Sequence, residues 1–173
     1  TLARAEATAN AGRHLEAAAQ YERLARRGFM NWDPPTALLA AREYLRGGAL
    51  TDAERLLAKA RPRARSAEDR SLLLEVEAGT ALARGDTARA AAMLRPLPSP
   101  ITPDAAAALL DLRGQAEIAT AEALAGVRTF EERAGLLASP EARTANDRRL
   151  FELLRLHPPR TVVTLAGVSE QER

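Results

Sequence analysis

Runs of alanine and leucine succeed one another from Leu2 to Leu97, cut by short polar breaks that carry glycine. The stretch "AGRHLEAAAQYERLARR" holds Gly12, "RGGALTDAERLLAKA" holds Gly48 and "RGDTARAAAMLRPL" holds Gly85, so these glycines stand 36 and 37 residues apart. An alanine lies seven positions before each of them (Ala5, Ala41, Ala78) and another five positions after (Ala17, Ala53, Ala90). Nine positions after each comes a larger side chain, Tyr21, Leu57 or Leu94. Such a period belongs to a repeated helix–turn–helix unit, not to one long helix. Glycine ends the first helix because it accepts a positive φ without a Cβ clash. Thr51 and Asp86 are placed to cap the second. The alanines let the paired helices approach, and the leucine or tyrosine fills the space beside them.

The pattern predicts helices over residues 2–11, 14–27, 35–46, 51–60, 67–84 and 87–95. "PLPSPITP", from Pro96 to Pro103, is a proline-rich break, and Asp104 lies near the start of a helix over 104–119. A less regular helix, with no Gly-Asp turn before it, spans 121–137. Pro140 opens another that "HPPR" stops after Leu156. Over 161–173 a short strand on "TVVTL" competes with a loop into a truncated helix, and the loop fits the preceding pattern better. The fold class is therefore all-α in one domain. Residues 1–138 form helical repeats, and 139–173 form a further helix and the truncated start of the next unit.

Composition supports this and narrows the chemistry. Hydrophobic residues make up 46% but aromatics only 3%, which suits helices packed through small side chains more than strands. Charge is nearly balanced at +2, while the pI of 9.6 reflects bases that are all arginine except Lys59. Both signs are interspersed as on a solvated helical surface. The densest basic run, "RPRAR", is short and lacks stacking aromatics, which speaks against a nucleic-acid groove. With no cysteine, there is no disulfide, zinc–thiolate site or thiol nucleophile. No apolar run reaches the roughly 20 residues that cross a bilayer. Thr1 at the start and "TLAGVSEQER" at the end read as a piece of a longer protein.

No residue cluster spells out catalysis, and no cofactor or metal is expected. His14 and His157 lie in separate segments without metal-ligand spacing and read as helix-end residues. Glu75 and Glu77, and Glu131 and Glu132, are too close in sequence to converge from one helix. Asp111 and Glu117 are also poorly matched for the facing carboxyls that sugar cleavage needs. If the hairpins stack, the first helix of each pair lines a concave side with Glu6, Asn10, Arg42, Arg46 and Glu75 facing the groove. Arg42 and Arg46, one turn apart, make a fork suited to a carboxylate; the competing reading is a solvated face. Trp32 in "NWDPP" is either an exposed anchor for a partner or a staple. The flanks favour the staple, since Asp33 caps and Pro34 takes the first turn.

These residues resemble the tetratricopeptide repeat, with small residues in both helices and Gly-Asp at the turn. The middle copy fits best, through Ala37, Ala40, Ala41, Tyr44, Gly48, Ala53, Leu57 and Ala60. Its spacing exceeds the usual repeat by two or three residues, and the closing proline is displaced to Pro62. The resemblance implies tetratricopeptide-like hairpins stacked into a short right-handed solenoid.

The order of three blocks resembles a more particular family. They are "NWDPPTALLAAREYLRGGALTDAERLL", "RSLLLEVEAGTALARGDTARAAAMLRPL" and "NDRRLFELLRLHPPRTVVTLAG". Across residues 20–167 they are similar to the N-terminal domain of the LpoA family, the penicillin-binding protein activator lipoproteins. That resemblance implies a non-enzymatic periplasmic protein anchored to the outer membrane by a lipid outside this chain. Its partner would be a bifunctional class A penicillin-binding protein, whose peptidoglycan synthesis it stimulates; contact with peptidoglycan itself is open. No motif here carries the family's contact residues. The alternative is a generic tetratricopeptide adaptor that holds a peptide or protein in its concave groove.

Overall fold

The computed structural model describes residues 1–26, 32–99 and 101–158. Among them lie α1 (Leu2–Asn10), α2 (His14–Ala25), α3 (Pro34–Arg46), α4 (Leu50–Ala60), α5 (Ala67–Ala83), α6 (Thr87–Met93), α7 (Pro103–Ala119), α8 (Ala123–Leu136) and α9 (Pro140–Leu156). A single 3-10 turn, Arg61–Arg63, follows α4, and no strand occurs among the described residues. The expected all-α class holds. The expectations for residues 161–173, strand or truncated helix, lie outside the described residues.

Local chemistry explains most helix starts. Asp33 accepts from the Thr36 amide at 3.3 Å with Pro34 in the first turn, as the "NWDPP" motif predicts. Ser66 and Asp69 exchange backbone bonds in a capping box at α5. Asp86, Thr102 and Ser139 cap α6, α7 and α9 with their side chains. Thr51 does not cap α4, because the helix begins earlier, at Leu50, and its N-cap Ala49 makes no side-chain bond.

The three glycines sit where the sequence puts them. Gly12, Gly48 and Gly85 have φ of +74°, +78° and +78°, the left-handed region that glycine enters without penalty. At each turn the next residue donates its amide to a carbonyl five positions back: Arg13 to Thr8 at 3.2 Å, Ala49 to Tyr44 at 2.8 Å and Asp86 to Ala81 at 2.9 Å. The same bond recurs a fourth time, from Glu122 to Glu117 at 2.8 Å, around Ala121 with φ +67°. Ala121 lies 36 residues beyond Gly85. The region expected to be irregular is therefore a fourth copy of the unit, with alanine at the turn. Its crossing positions carry Gly114 and Gly126 in place of the alanines, and Phe130 takes the place of Tyr21, Leu57 and Leu94.

The result is four helical hairpins, α1–α2, α3–α4, α5–α6 and α7–α8, followed by α9. Each helix packs on its neighbours in the chain, and α3 with α5, α5 with α7, and α7 with α9 also touch. The largest core cluster spans α1 to α5 and includes Ala5, Ala17, Tyr21, Leu38, Ala41, Ala53, Leu56 and Val76. Toward the C-terminus the core divides into smaller groups, the last made of Ile118, Phe130 and Leu153.

Candidate functional site

Three of the residues expected in the groove, Arg42, Arg46 and Glu75, meet in one place, through a side chain that was not expected there. Glu43 on α3 is fully buried. Its carboxylate accepts from Arg46 Nη1 at 3.1 Å, from Arg42 Nε at 3.2 Å, and faces His14 Nδ1 of α2 at 2.8 Å. The two arginines continue to Glu75 on α5, at 3.8 Å from Arg42 and 3.5 Å from Arg46. Arg42 and Arg46 are thus turned to the protein's own carboxylates. His14 does stand at a helix start, but its ring is also tied to the Glu43 cluster.

Glu75 is held in an unfavourable setting for charge. Burial raises its pKa above the usual carboxylate range, Arg42 and Arg46 offset part of that, and Glu43 and Asp111 add to it. Asp111 on α7 accepts from Gln115 at 2.7 Å and lies 3.8 Å from Arg133 of α8, which in turn bonds Asn146 of α9 at 2.6 Å. A partly buried polar track thus runs from α7 to α9, and only the charge of Asp111 acts across to Glu75. Glu6 and Asn10, by contrast, are exposed on α1. Glu6 still acts on this neighbourhood: the Tyr21 hydroxyl is raised first by burial and next by Glu6. Trp32 is not part of the track. It is half-buried against the α1–α5 core, with the Arg63 guanidinium 5.8 Å from its ring centre, as the staple reading expects.

Two further buried glutamates join helices elsewhere. Glu22 on α2 takes a two-pronged contact from Arg55 of α4, at 2.8 and 3.2 Å, a bond from Tyr44 Oη at 2.9 Å, and one from Arg26. The Arg55 bonds dominate and, against the opposing effect of burial, bring its pKa down to about 2. Glu117 on α7 is fully buried and accepts from Arg113 at 2.9 Å, Thr129 at 2.6 Å and Arg95 at 3.0 Å. Burial pushes its pKa up, but the bonds from Thr129, Arg113 and Arg95 together outweigh that and hold it below the usual range.

The sequence carried a signal for these hubs. Glu43 lies three residues after Ala40 and seven after Thr36, and Glu117 three after Gly114 and seven after Leu110, which puts both on the inward arc of their helices.

Chemically, the arrangement is a set of satisfied ion clusters between helices. Among the described residues, no group of three or more His, Cys, Asp or Glu able to hold a metal occurs. No described helix is long and apolar enough to cross a membrane. Compared with known protein families, curated proteins and solved structures, the chain gives no significant match.

Proposed function

We propose that the chain is a non-enzymatic scaffold: the helical-repeat part of an LpoA-like outer-membrane lipoprotein that stimulates peptidoglycan synthesis by a class A penicillin-binding protein in the periplasm. In this reading the hairpins stack in tetratricopeptide fashion as a short right-handed solenoid, whose task is to set distance and orientation. The observation that carries it is the turn geometry, repeated four times with one hydrogen-bonding pattern at intervals of 36, 37 and 36 residues. Hairpins tied by such turns and by buried ion clusters make a stiffer spacer than a polar linker of equal length.

The occupied fork supports a spacer over a peptide-binding adaptor. Arg42 and Arg46 already serve Glu43 and Glu75, so a ligand carboxylate must displace those partners before it gains anything. Purified class A synthase supplied with lipid-linked precursor tests the proposal. The parent lipoprotein is expected to accelerate glycan formation and the 173-residue chain alone to leave it unchanged. No acceleration by the parent overturns the activator reading; tight binding of the synthase by this chain alone overturns the spacer role.

A further inference from the structure

Among the described residues the turn that closes each hairpin is not repeated after α9. His157 stands 36 residues after Ala121, where a fifth turn would fall, yet its φ is −127°. The next residue, Pro158, has no amide to donate to the carbonyl five positions back, the bond that closes all four earlier turns. Helix α9 therefore packs inward through Asn146, Leu150, Leu153 and Leu154 and presents its opposite side with no second helix of its own among the described residues.

That outer side has an order. Asp147, Phe151 and Arg155 follow at intervals of four and form one stripe. All three are exposed, and Phe151 is 70% accessible, unusual for a phenylalanine on a helix of this polarity. Beside the stripe, Leu154 lines an open apolar groove of about 520 Å³ with Val127 and Leu124, the last 80% accessible. The stripe reads acid–aromatic–base, and a sequence of that kind complements itself only when two copies run antiparallel.

We propose that α9 is a self-association surface, pairing antiparallel with α9 of a second copy about a two-fold axis at Phe151. Each Phe151 then meets its equivalent, and each Asp147 meets Arg155 of the other copy, so the contact is isologous and closes at two. Arg148 of one copy lies over Leu154 of the other and covers the rim of the groove with its methylenes. The charges fix direction, since parallel pairing sets like charges opposite each other. One helix pair is a small contact, so the association is weak and concentration-dependent.

Sedimentation velocity of the full chain from micromolar to millimolar concentration tests this, with circular dichroism to verify helix content. Dimer is expected to accumulate with concentration, and Arg155→Asp to weaken it by about tenfold or more through like-charge contact. Asp147→Arg with Arg155→Asp restores complementarity and is expected to return association to the original level, while Phe151→Ser abolishes it. A monomer throughout the range, a dimer indifferent to Arg155→Asp or Phe151→Ser, or a double variant no better than the single one overturns the proposal.

Discussion

At the turn of the second hairpin the positive φ falls on Gly48 and the helices cross over Ala41 and Ala53; at the fourth it falls on Ala121 and they cross over Gly114 and Gly126. Glycine has moved from the turn to the contact. An alanine in the left-handed region costs roughly 1–2 kcal/mol, and each helical glycine costs about 1 kcal/mol relative to alanine. Local preference thus runs against the fourth hairpin three times. What offsets it is packing: the methyl missing at Gly114 admits Phe130, whose ring is fully buried where the other copies hold a leucine or Tyr21, and the one missing at Gly126 admits Ile118. One backbone path is therefore reached by local conformational preference in three hairpins and by tertiary contact in the fourth.

The largest expected effect concerns a buried carboxylate that ties the first hairpin to the second. Glu22, with a folded pKa of about 2 against an ordinary 4.5, favours the folded state once ionised. That contribution is fully present above about pH 4.5 and is lost as pH falls toward 2, because the unfolded chain takes up the proton first. Its size is on the order of 3 kcal/mol. Urea titrations at pH 6 and pH 2.5 are expected to show this loss, and Glu22→Gln to flatten it. Glu75 works in the opposite sense: with a folded pKa raised above the ordinary 4.5, its contribution is present below that value and is lost as pH rises through the higher folded one, so it cannot be the source of acid instability.

Returning one methyl to the fourth crossing gives the next effect. A Cβ at Gly126 would press on Ile118 and come within 3.1 Å of the Gly114 carbonyl, and neither is a flexible tip that can swing away. Gly126→Ala is expected to destabilise by about 2 kcal/mol despite its better helix propensity. The matching change in an earlier copy, Ala53→Gly, costs about 1 kcal/mol through propensity and lost contact. Hydrogen exchange localises each loss: to α7 and α8 in the first case, to α3 and α4 in the second. Equal and opposite signs at the two sites would break the claim that the hairpins depend on different terms.

How legible this was depends on which term dominates. In the first three hairpins the turn residue is glycine, so the period stood out, and caps such as Asp33 and Asp86 announced the helices they start. The bounds of α7 to α9 were also readable, from Pro96–Pro103 and Pro140. That α7 and α8 are a fourth unit was not, because its signature is spread over Gly114, Ala121, Gly126 and Phe130 and depends on who touches whom. The groove residues were half legible. Equivalent places in the first helices of two hairpins put Arg42 and Arg46 near Glu75, but the buried acid between them, Glu43, is marked only by its spacing from Thr36 and Ala40, because its charge matches that of the surface positions beside it.

The smallest effect separates the two kinds of turn most cleanly, because the two changes are reverses of each other at equivalent positions. Ala121→Gly removes a side chain from a residue at φ +67° and leaves the Glu122 to Glu117 bond in place. Relief of the left-handed penalty exceeds the added entropy of the unfolded chain, so a gain of about 1 kcal/mol is expected. Gly48→Ala places a methyl at φ +78°, where no atom lies within 4 Å, so the cost is conformational and not steric crowding. It is expected to destabilise by about 1 kcal/mol. Paired denaturation curves read both. If Ala121→Gly were neutral or destabilising, that turn would owe its shape to contacts of the alanine methyl, and the fourth hairpin would differ from the others at its turn as well as at its crossing.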